Sequence, residues 1–316
     1  MATRILISLL ILLVAGYGVT LWKAGRAEAR AERRWPPVGK VVEVDGHPVH
    51  YVEAGDGPPL VLIHGASGNL RDWTFDAVAR LSDRYRVIAF DRPGLGRTPA
   101  LSEDGDSLAD QAALLSAAAA RLGAEAPILV GQSYGGGVAL AWAVHHPDAL
   151  SGLVLLAAVS RPWDTGISTF YKVTSGPLGR AVIPLITAWV PERIVTASVE
   201  DVFTPQDAPE GYAEHIAPGL TLRRATLRAN ALQRAGLLAE IVAQQPLYPS
   251  IRVPTEILHG DADTIVSHAV HSVPLAREIP GAALTILPGI GHMPQHVAIA
   301  EMDAAIDRVA ASAGLR

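Results

Sequence analysis

The sequence contains no cysteine among its 316 residues. No disulfide can form, so cysteine usage says nothing about whether the chain works in a reducing or an oxidising compartment. The net charge is only −5, and basic residues form no patch outside residues 23–34. No nucleic-acid partner is therefore expected. There is no HExxH motif, and neither a metal nor another cofactor is expected.

Charged residues are also missing from residues 5–22, a long apolar run. A helix of that length reaches about 27 Å, close to the thickness of a hydrocarbon core. We predict a single-pass membrane anchor over residues 1–22, touching lipid through residues 5–22, and a linker over residues 23–37. A cleaved secretory signal is the alternative, because Ala27-Glu28-Ala29 resembles a cleavage site. A buried core helix is less favoured.

Basic residues flank the apolar run unequally. Arg4 and the α-amine precede the run, whereas five basic side chains follow it: Lys23, Arg26, Arg30, Arg33 and Arg34. This asymmetry favours a cytoplasmic location for the domain that follows. Glu28 and Glu32 make residues 23–34 equally typical of an exposed helical spacer. A chain that begins near Trp35 is then expected to be soluble and active.

Short apolar runs alternate with helical patterns after residue 37. Asp45-Gly46 separates two alternating segments and indicates a β-hairpin. Continuous apolar runs, typical of central parallel strands, follow at 60–63, 87–90, 128–130, 153–156, 257–258 and 284–287. Helical patterns lie between them, at 71–81, 108–122, 135–145, 268–279 and 297–311. This alternation predicts a doubly wound, mostly parallel α/β sheet over residues 38–316.

The alternation stops between about residues 160 and 252, where helical pieces punctuated by proline replace strands. One piece carries Leu222, Ala225, Ala229, Leu232 and Gly236 at helical spacing. An insertion of this kind predicts a helical cap over the carboxyl edge of the sheet, where open α/β sheets place their sites. The almost wholly apolar stretch 181–190 is expected either to form the core of the cap or to line the entry of an apolar substrate.

The strongest motif is Gly131-Gln132-Ser133-Tyr134-Gly135, which runs from an apolar strand directly into a helical pattern. This context is that of a nucleophile elbow, in which a strained turn presents the serine hydroxyl at the amino end of a helix. Ser133 is therefore the candidate nucleophile, and it requires a general base to take its proton.

A base and an orienting acid are present on loops that follow later strands. His292, in Gly291-His292-Met293-Pro294, is the candidate base, with His296 as its nearest rival. Asp263 is the candidate acid, whereas Asp261 is expected to hold the turn through backbone hydrogen bonds. The chain order serine, aspartate, histidine is the one found in nucleophile-elbow hydrolases.

Four sequence blocks together resemble the α/β-hydrolase superfamily, in its capped, esterase-like branch, over residues 40–313. They are His64-Gly65-Ala66-Ser67-Gly68, Asp91-Arg92-Pro93-Gly94-Leu95-Gly96, Gly131-Gln132-Ser133-Tyr134-Gly135, and the pair Gly260-Asp261-Ala262-Asp263 with Gly291-His292. The resemblance implies an α/β-hydrolase fold with a helical cap. It also implies an oxyanion hole formed by the backbone N–H groups of Ala66 and Tyr134.

The same resemblance narrows the expected activity. Epoxide hydrolases and haloalkane dehalogenases of this type carry an aspartate where Ser133 stands, and carbon–carbon hydrolases tend to carry a tryptophan where Met293 stands. The leading expectation is therefore hydrolysis of a carboxylic ester in a small-molecule, apolar substrate, and thioesters, lactones and amides remain open. Carbon–carbon hydrolysis, acyl transfer with the same triad and a binding protein that retains the triad are the alternatives.

Overall fold

An eight-stranded sheet forms the centre of the molecule. The structure is a computed structural model that describes residues 1–316 except for the side chain of Glu192. The strands are β1 (Lys40–Val44), β2 (His47–Ala54), β3 (Pro59–Ile63), β4 (Arg86–Phe90), β5 (Ile128–Gln132), β6 (Gly152–Leu156), β7 (Thr255–Gly260) and β8 (Ala283–Leu287). Their order is β1-β2-β4-β3-β5-β6-β7-β8, and all pairs from β4 to β8 are parallel. The predicted mostly parallel sheet is confirmed.

The two antiparallel strands form the predicted hairpin. β1 pairs with β2, and β2 pairs with β4. The turn between β1 and β2 places Asp45 at φ 51° and Gly46 at φ 83°, the left-handed angles that a two-residue hairpin turn requires. The central strands β5, β6 and β7 are buried at every residue, as expected for parallel strands covered on both faces.

Fourteen helices lie in the residues that the structure describes. In chain order they are α1 (Ala2–Arg34), α2 (Arg71–Thr74), α3 (Ala77–Leu81), α4 (Leu108–Arg121), α5 (Tyr134–His145), α6 (Thr169–Ser175), α7 (Gly179–Trp189), α8 (Glu192–Asp201), α9 (Tyr212–His215), α10 (Pro218–Thr221), α11 (Arg224–Gln244), α12 (Ser272–Glu278), α13 (Pro294–Val297) and α14 (Ile299–Ser312). Helices α4, α5 and α12 cover one face of the sheet, and α3 and α14 cover the other.

Some helix boundaries differ from those that the sequence predicts. The pattern at 71–81 forms two helices, because the backbone of Asp76 leaves the helical region at φ −149°. The break turns the Phe75 ring edge-on to Tyr212, with 5.3 Å between the ring centroids. The pattern at 268–279 becomes helical only from Ser272.

Six helices, α6 to α11, and a short 3-10 helix over Gln245–Ser250 form the cap between β6 and β7. No strand occurs in this part of the described chain, as predicted. The cap lies over the carboxyl edge of the sheet: the backbone of Gly291, which follows β8, approaches Thr204 so closely that a Cβ would lie 2.2 Å from the Thr204 carbonyl oxygen. The cap therefore covers the loops that carry the candidate site.

Helix α1 runs without interruption from the apolar run through the segment that we predicted to be a linker. It is the helix in this structure that is long and apolar enough to cross a membrane. Its side chains at 5–14 are exposed, whereas Ala24, Ala31 and the following Trp35 are buried against the cap. The predicted boundary at residue 22 thus does not separate two structural elements. The small side chain of Ala31 allows a close approach, because a Cβ on Gly219 of α10 would lie 3.0 Å from the Ala31 Cβ.

Candidate active site

The nucleophile elbow is formed as the motif predicts. Ser133 connects β5 to α5 with φ 52° and ψ −117°, a strained backbone for a residue with a side chain. Glycine is required on both sides of it. A Cβ on Gly131 would lie 2.5 Å from the carbonyl oxygen of Gly135, and one on Gly135 would lie 2.3 Å from that of Ile63. The absence of these side chains lets α5 begin directly beside β3.

His292 lies within hydrogen-bonding distance of the serine. It follows β8 on a loop, and its Nε2 is 3.0 Å from Ser133 Oγ. Its Nδ1 donates to Asp263 Oδ2 at 2.7 Å. Since the proton on Nδ1 is held by the carboxylate, Nε2 is the nitrogen that can accept the serine proton. The rival His296 does not take part in this series of hydrogen bonds, because its Nε2 bonds to Asp72 Oδ1 at 2.7 Å.

Asp263 is held as an anion beneath the histidine. Its Oδ1 accepts the backbone N–H groups of Ile265 and Val266 at 2.8 and 2.9 Å. Burial alone would raise the pKa of this carboxyl. Hydrogen bonds from His259, His292 and Val266 outweigh burial and hold its pKa well below the usual range. The neighbouring Asp261 instead accepts the N–H of Gly289 at 2.6 Å, so it fixes the turn as expected.

A second histidine, which sequence reasoning missed, orients the acid. His259 Nε2 donates to Val266 O at 2.8 Å and lies 3.1 Å from Asp263 Oδ2. Its Nδ1 accepts from the Ser272 hydroxyl at 2.5 Å. These partners fix the ring and its tautomer, and through it the Asp263 carboxylate. The available signal was a histidine directly after the apolar pair Ile257-Leu258 of β7, four residues before Asp263.

The loop that carries Ala66 lies next to the nucleophile, because β3 and β5 are neighbours in the sheet. A Cβ on Gly65 would lie 3.3 Å from Ser133 Cβ. Among the described residues, neither the Ala66 N–H nor the Tyr134 N–H has a hydrogen-bond partner. Both N–H groups are thus free to bind a developing oxyanion near Ser133 Oγ, the role that the resemblance implies.

Side chains from the cap and the core hold this loop. Asn230 in α11 accepts the Ser67 N–H at 2.9 Å and donates to the Ser67 hydroxyl at 2.9 Å. His64 Nδ1 donates to the Gly65 carbonyl, and its Nε2 accepts the Arg92 N–H. Burial, reinforced by Arg92, lowers the pKa of His64 to about 4. His64 therefore braces the loop as a neutral side chain.

Arg92 is a fully buried cation behind the same loop. It donates to the carbonyl oxygens of His64 and Gly65, each at 2.9 Å, and to Gln111 and Gln233. Its guanidinium carbon lies 4.3 Å from the centroid of the Tyr134 ring. Burial lowers the pKa of Arg92 to about 10, so the side chain stays charged at neutral pH.

Residues 58–298 match the family described as alpha/beta hydrolase fold. The nucleophile elbow, the strand order and the loop positions agree with this match. The chain belongs to this family. The family assignment and the mostly parallel sheet of this alpha/beta hydrolase confirm the predicted fold class.

Relatives of this alpha/beta hydrolase have different activities. Haloalkane dehalogenase 2 of Mycobacterium tuberculosis is 29% identical over 264 residues, which are 82% of this chain and 90% of the relative. A thermophilic esterase from Thermogutta terrifontis has a TM-score of 0.68 at 23% identity, covering 87% of this chain and 97% of its own. A membrane phospholipase A has a TM-score of 0.64 at 23% identity, covering 97% and 99%. The two solved structures show the shared fold.

Proposed function

We propose that this alpha/beta hydrolase cleaves a carboxylic ester, or a related acyl bond, through an acyl-enzyme on Ser133. The observation that carries the proposal is the continuous hydrogen-bond chain from Ser133 Oγ through His292 to Asp263, at 3.0 and 2.7 Å. A serine hydroxyl becomes a useful nucleophile only when an adjacent base accepts its proton, and a base works best when a third group fixes its orientation.

The geometry supports the following sequence of steps. Ser133 Oγ attacks the carbonyl carbon as His292 Nε2 takes its proton, and the Ala66 and Tyr134 N–H groups stabilise the oxyanion of the tetrahedral intermediate. The imidazolium of His292, stabilised by Asp263, then protonates the leaving alcohol as the carbon–oxygen bond breaks. Water, deprotonated by the same histidine, releases the acid and regenerates Ser133.

A hydroxyl nucleophile argues against dehalogenation. Displacing a halide with Ser133 would leave an alkyl ether on the enzyme, and water does not cleave an ether at neutral pH. Attack on an acyl carbon leaves an ester, which the same triad hydrolyses. Carbon–carbon hydrolysis and acyl transfer remain the alternative reactions of this triad. Met293 stands where carbon–carbon hydrolases tend to carry tryptophan, so carbon–carbon hydrolysis comes second to ester hydrolysis.

We further propose that α1 is a retained membrane anchor and that the substrate is an apolar ester. Cleavage after Ala29 would remove Glu28, whose carboxylate accepts the Arg224 backbone N–H at 2.8 Å and its side-chain Nε and Nη2 at 2.9 and 2.7 Å. These contacts support retention of the helix. The basic residues after residue 22 favour the cytoplasmic face for the hydrolase domain.

The test of the mechanism compares the wild type with Ser133→Ala. We expect a fluorophosphonate probe to label the wild type at Ser133 only, and nitrophenyl esters to be turned over. Ser133→Ala should lose labelling and nearly all turnover, on the order of 10⁶-fold. Turnover within tenfold of wild type would contradict the acyl-enzyme, and labelling without turnover of any ester would favour a binding protein.

A further inference from the structure

Large apolar side chains are exposed on one part of the cap, in and beside helices α6, α7 and α8. Their exposed fractions lie between 38% and 69%. We call this surface the apolar cap face; it consists of Phe170, Val173, Leu178, Leu185, Trp189 and Ile194. Large exposed apolar surfaces are rare on soluble proteins and mark contact with a partner or a membrane, and six such side chains fall within 25 consecutive residues of the cap.

The apolar cap face adjoins the membrane-spanning part of α1. The Tyr17 hydroxyl donates to the Ala181 carbonyl at 3.3 Å, and Trp189 Nε1 donates to the Thr20 hydroxyl at 3.2 Å. Tyr17 and Thr20 belong to the apolar run, and Tyr17 precedes its end at Trp22 by about 7 Å of helix. Helix α7 therefore lies beside the last turns of the run, at the depth where a bilayer has its interface.

We infer that the apolar cap face is immersed in the interface of a phospholipid bilayer. Trp189 contacts Thr20 and Lys23, so it lies at the level of Trp22 at the end of the apolar run, where membrane proteins carry aromatic belts. Lys23 begins the next turn, and its ammonium lies 3.5 Å from the centroid of a Trp189 ring. Cations at this level face lipid phosphates. The inference rests on the proposed anchor. Its consequence is that an apolar ester can pass from the bilayer directly to the cap.

The absence of cysteine makes the inference testable on the full chain. Leu185→Cys and Ile194→Cys place single thiols at exposed positions of the face. Ala126→Cys, just before β5, is the control, because it lies at the opposite end of the sheet from the cap. Each variant is labelled with an environment-sensitive fluorophore and reconstituted in vesicles of phosphatidylcholine and phosphatidylglycerol.

Spin-labelled lipids should quench the fluorophores at 185 and 194 several-fold more than the one at 126, and aqueous iodide should quench them less. Equal quenching at all three positions would overturn the inference. Protection from both quenchers at 185 and 194 would also overturn it, in favour of a second protein copy on the face. The Ser133→Ala background should give the same result, so failure of the proposed chemistry is a separate outcome.

Arg92 carries a second, independent inference. The four oxygens that accept from its side chain are all neutral, and no carboxylate in the described structure forms a hydrogen bond or ion pair with its guanidinium, although Asp106 lies near enough to act on it electrostatically. One acceptor is the Gly65 carbonyl, which shares a peptide group with the Ala66 N–H. We infer that Arg92 is a positioning residue whose charge, not paired directly with a carboxylate, strengthens the oxyanion hole. Donation to the carbonyl polarises the N–H of the same peptide, and a buried cation attracts the nearby oxyanion. This inference rests on the proposed function.

A charge change next to Arg92 separates this role from a structural one. Gln111 Oε1 accepts from Arg92 at 2.7 Å. Gln111→Glu and Gln111→Met both lose the amide donor, but only Gln111→Glu places a negative charge against the guanidinium. We expect Ser133 in Gln111→Glu to react with a fluorophosphonate at least about tenfold more slowly than in Gln111→Met.

Rates within twofold of each other would overturn the role of Arg92. If either variant does not fold, Gln233→Glu and Gln233→Met form a second pair, because Gln233 Oε1 accepts from the same guanidinium nitrogen at 3.0 Å. A wild type that does not react would contradict the proposed function, which is distinguishable from equal rates in a reactive pair.

Discussion

Two carboxylates follow β7 within three residues, and their hydrogen bonds assign them different roles. Asp263 contacts the His292 ring, whereas Asp261 contacts only the turn after β8. We expect Asp263→Asn to lower kcat by roughly 10³–10⁴-fold, because an amide cannot stabilise the imidazolium and favours the wrong histidine tautomer.

Asp261→Asn is the matched control and should lower kcat by less than tenfold, since an amide oxygen can still accept the Gly289 N–H. Steady-state kinetics on a nitrophenyl ester measure both. A larger loss in Asp261→Asn than in Asp263→Asn would mean that the acid is wrongly assigned.

At the scale of elements, the second half of α1 belongs to the cap by its packing. Trp35 is buried, its indole N–H donates to Glu214, and its ring lies where a Cβ on Gly219 would be, at 2.4 Å. Hydrogen bonds to Arg224 keep the pKa of Glu28 below its ordinary value even though burial raises it. We therefore expect a chain that begins near Trp35, which the sequence predicts to be soluble and active, to be less stable than one that keeps Glu28.

Two shortened chains test this packing. A chain that begins at Lys23 keeps Glu28 and Trp35, whereas one that begins at Val38 loses both. Losing a buried side chain of this size costs about 2 kcal/mol. We expect the Tm of the shorter chain to be lower by about 5 °C, measured by calorimetry in one detergent. Equal melting temperatures would show that residues 23–37 are a linker after all.

At the scale of the whole molecule, two buried histidines couple stability to pH. Burial, with smaller effects of Arg92 on His64 and of His259 on His271, lowers the pKa of both His64 and His271 from 6.5 to about 4. Between pH 4 and 6.5 the unfolded chain therefore binds more protons than the folded chain. The free energy of unfolding falls as pH drops from about 6.5 to 4, by about 3 kcal/mol for each histidine.

His271→Asn isolates one of these contributions. The His271 Nδ1 accepts the N–H groups of Ser160 and Arg161 at 3.2 and 3.1 Å, and an asparagine oxygen can replace it without titrating. Denaturant unfolding should show a smaller stability loss between pH 6.5 and 4 in this variant. His145→Asn, at an exposed position, should behave as wild type, and an unchanged pH slope in His271→Asn would contradict the assignment.

The sequence by itself determined the sheet, the cap and the candidate triad. Local patterns suffice for these features: apolar runs on both faces specify parallel strands, and the Gly131-Gln132-Ser133-Tyr134-Gly135 turn is specified by glycines that tolerate close backbone approach. Ser133, Asp263 and His292 follow β5, β7 and β8 in that order. All three therefore lie on connections that begin at the carboxyl edge of the sheet.

Only the tertiary structure decided which distant side chains support the site. Asn230 holding Ser67 and Arg92 facing the Gly65 carbonyl join residues that are 163 and 27 positions apart, and no local period encodes such pairs. The docking of α1 on the cap was likewise not predictable from the sequence. The charged residues of α1 have the pattern of an exposed spacer, but Glu28 pairs with Arg224 and Arg34 pairs with Glu214. Such ion pairs between elements depend on how the chain folds back on itself.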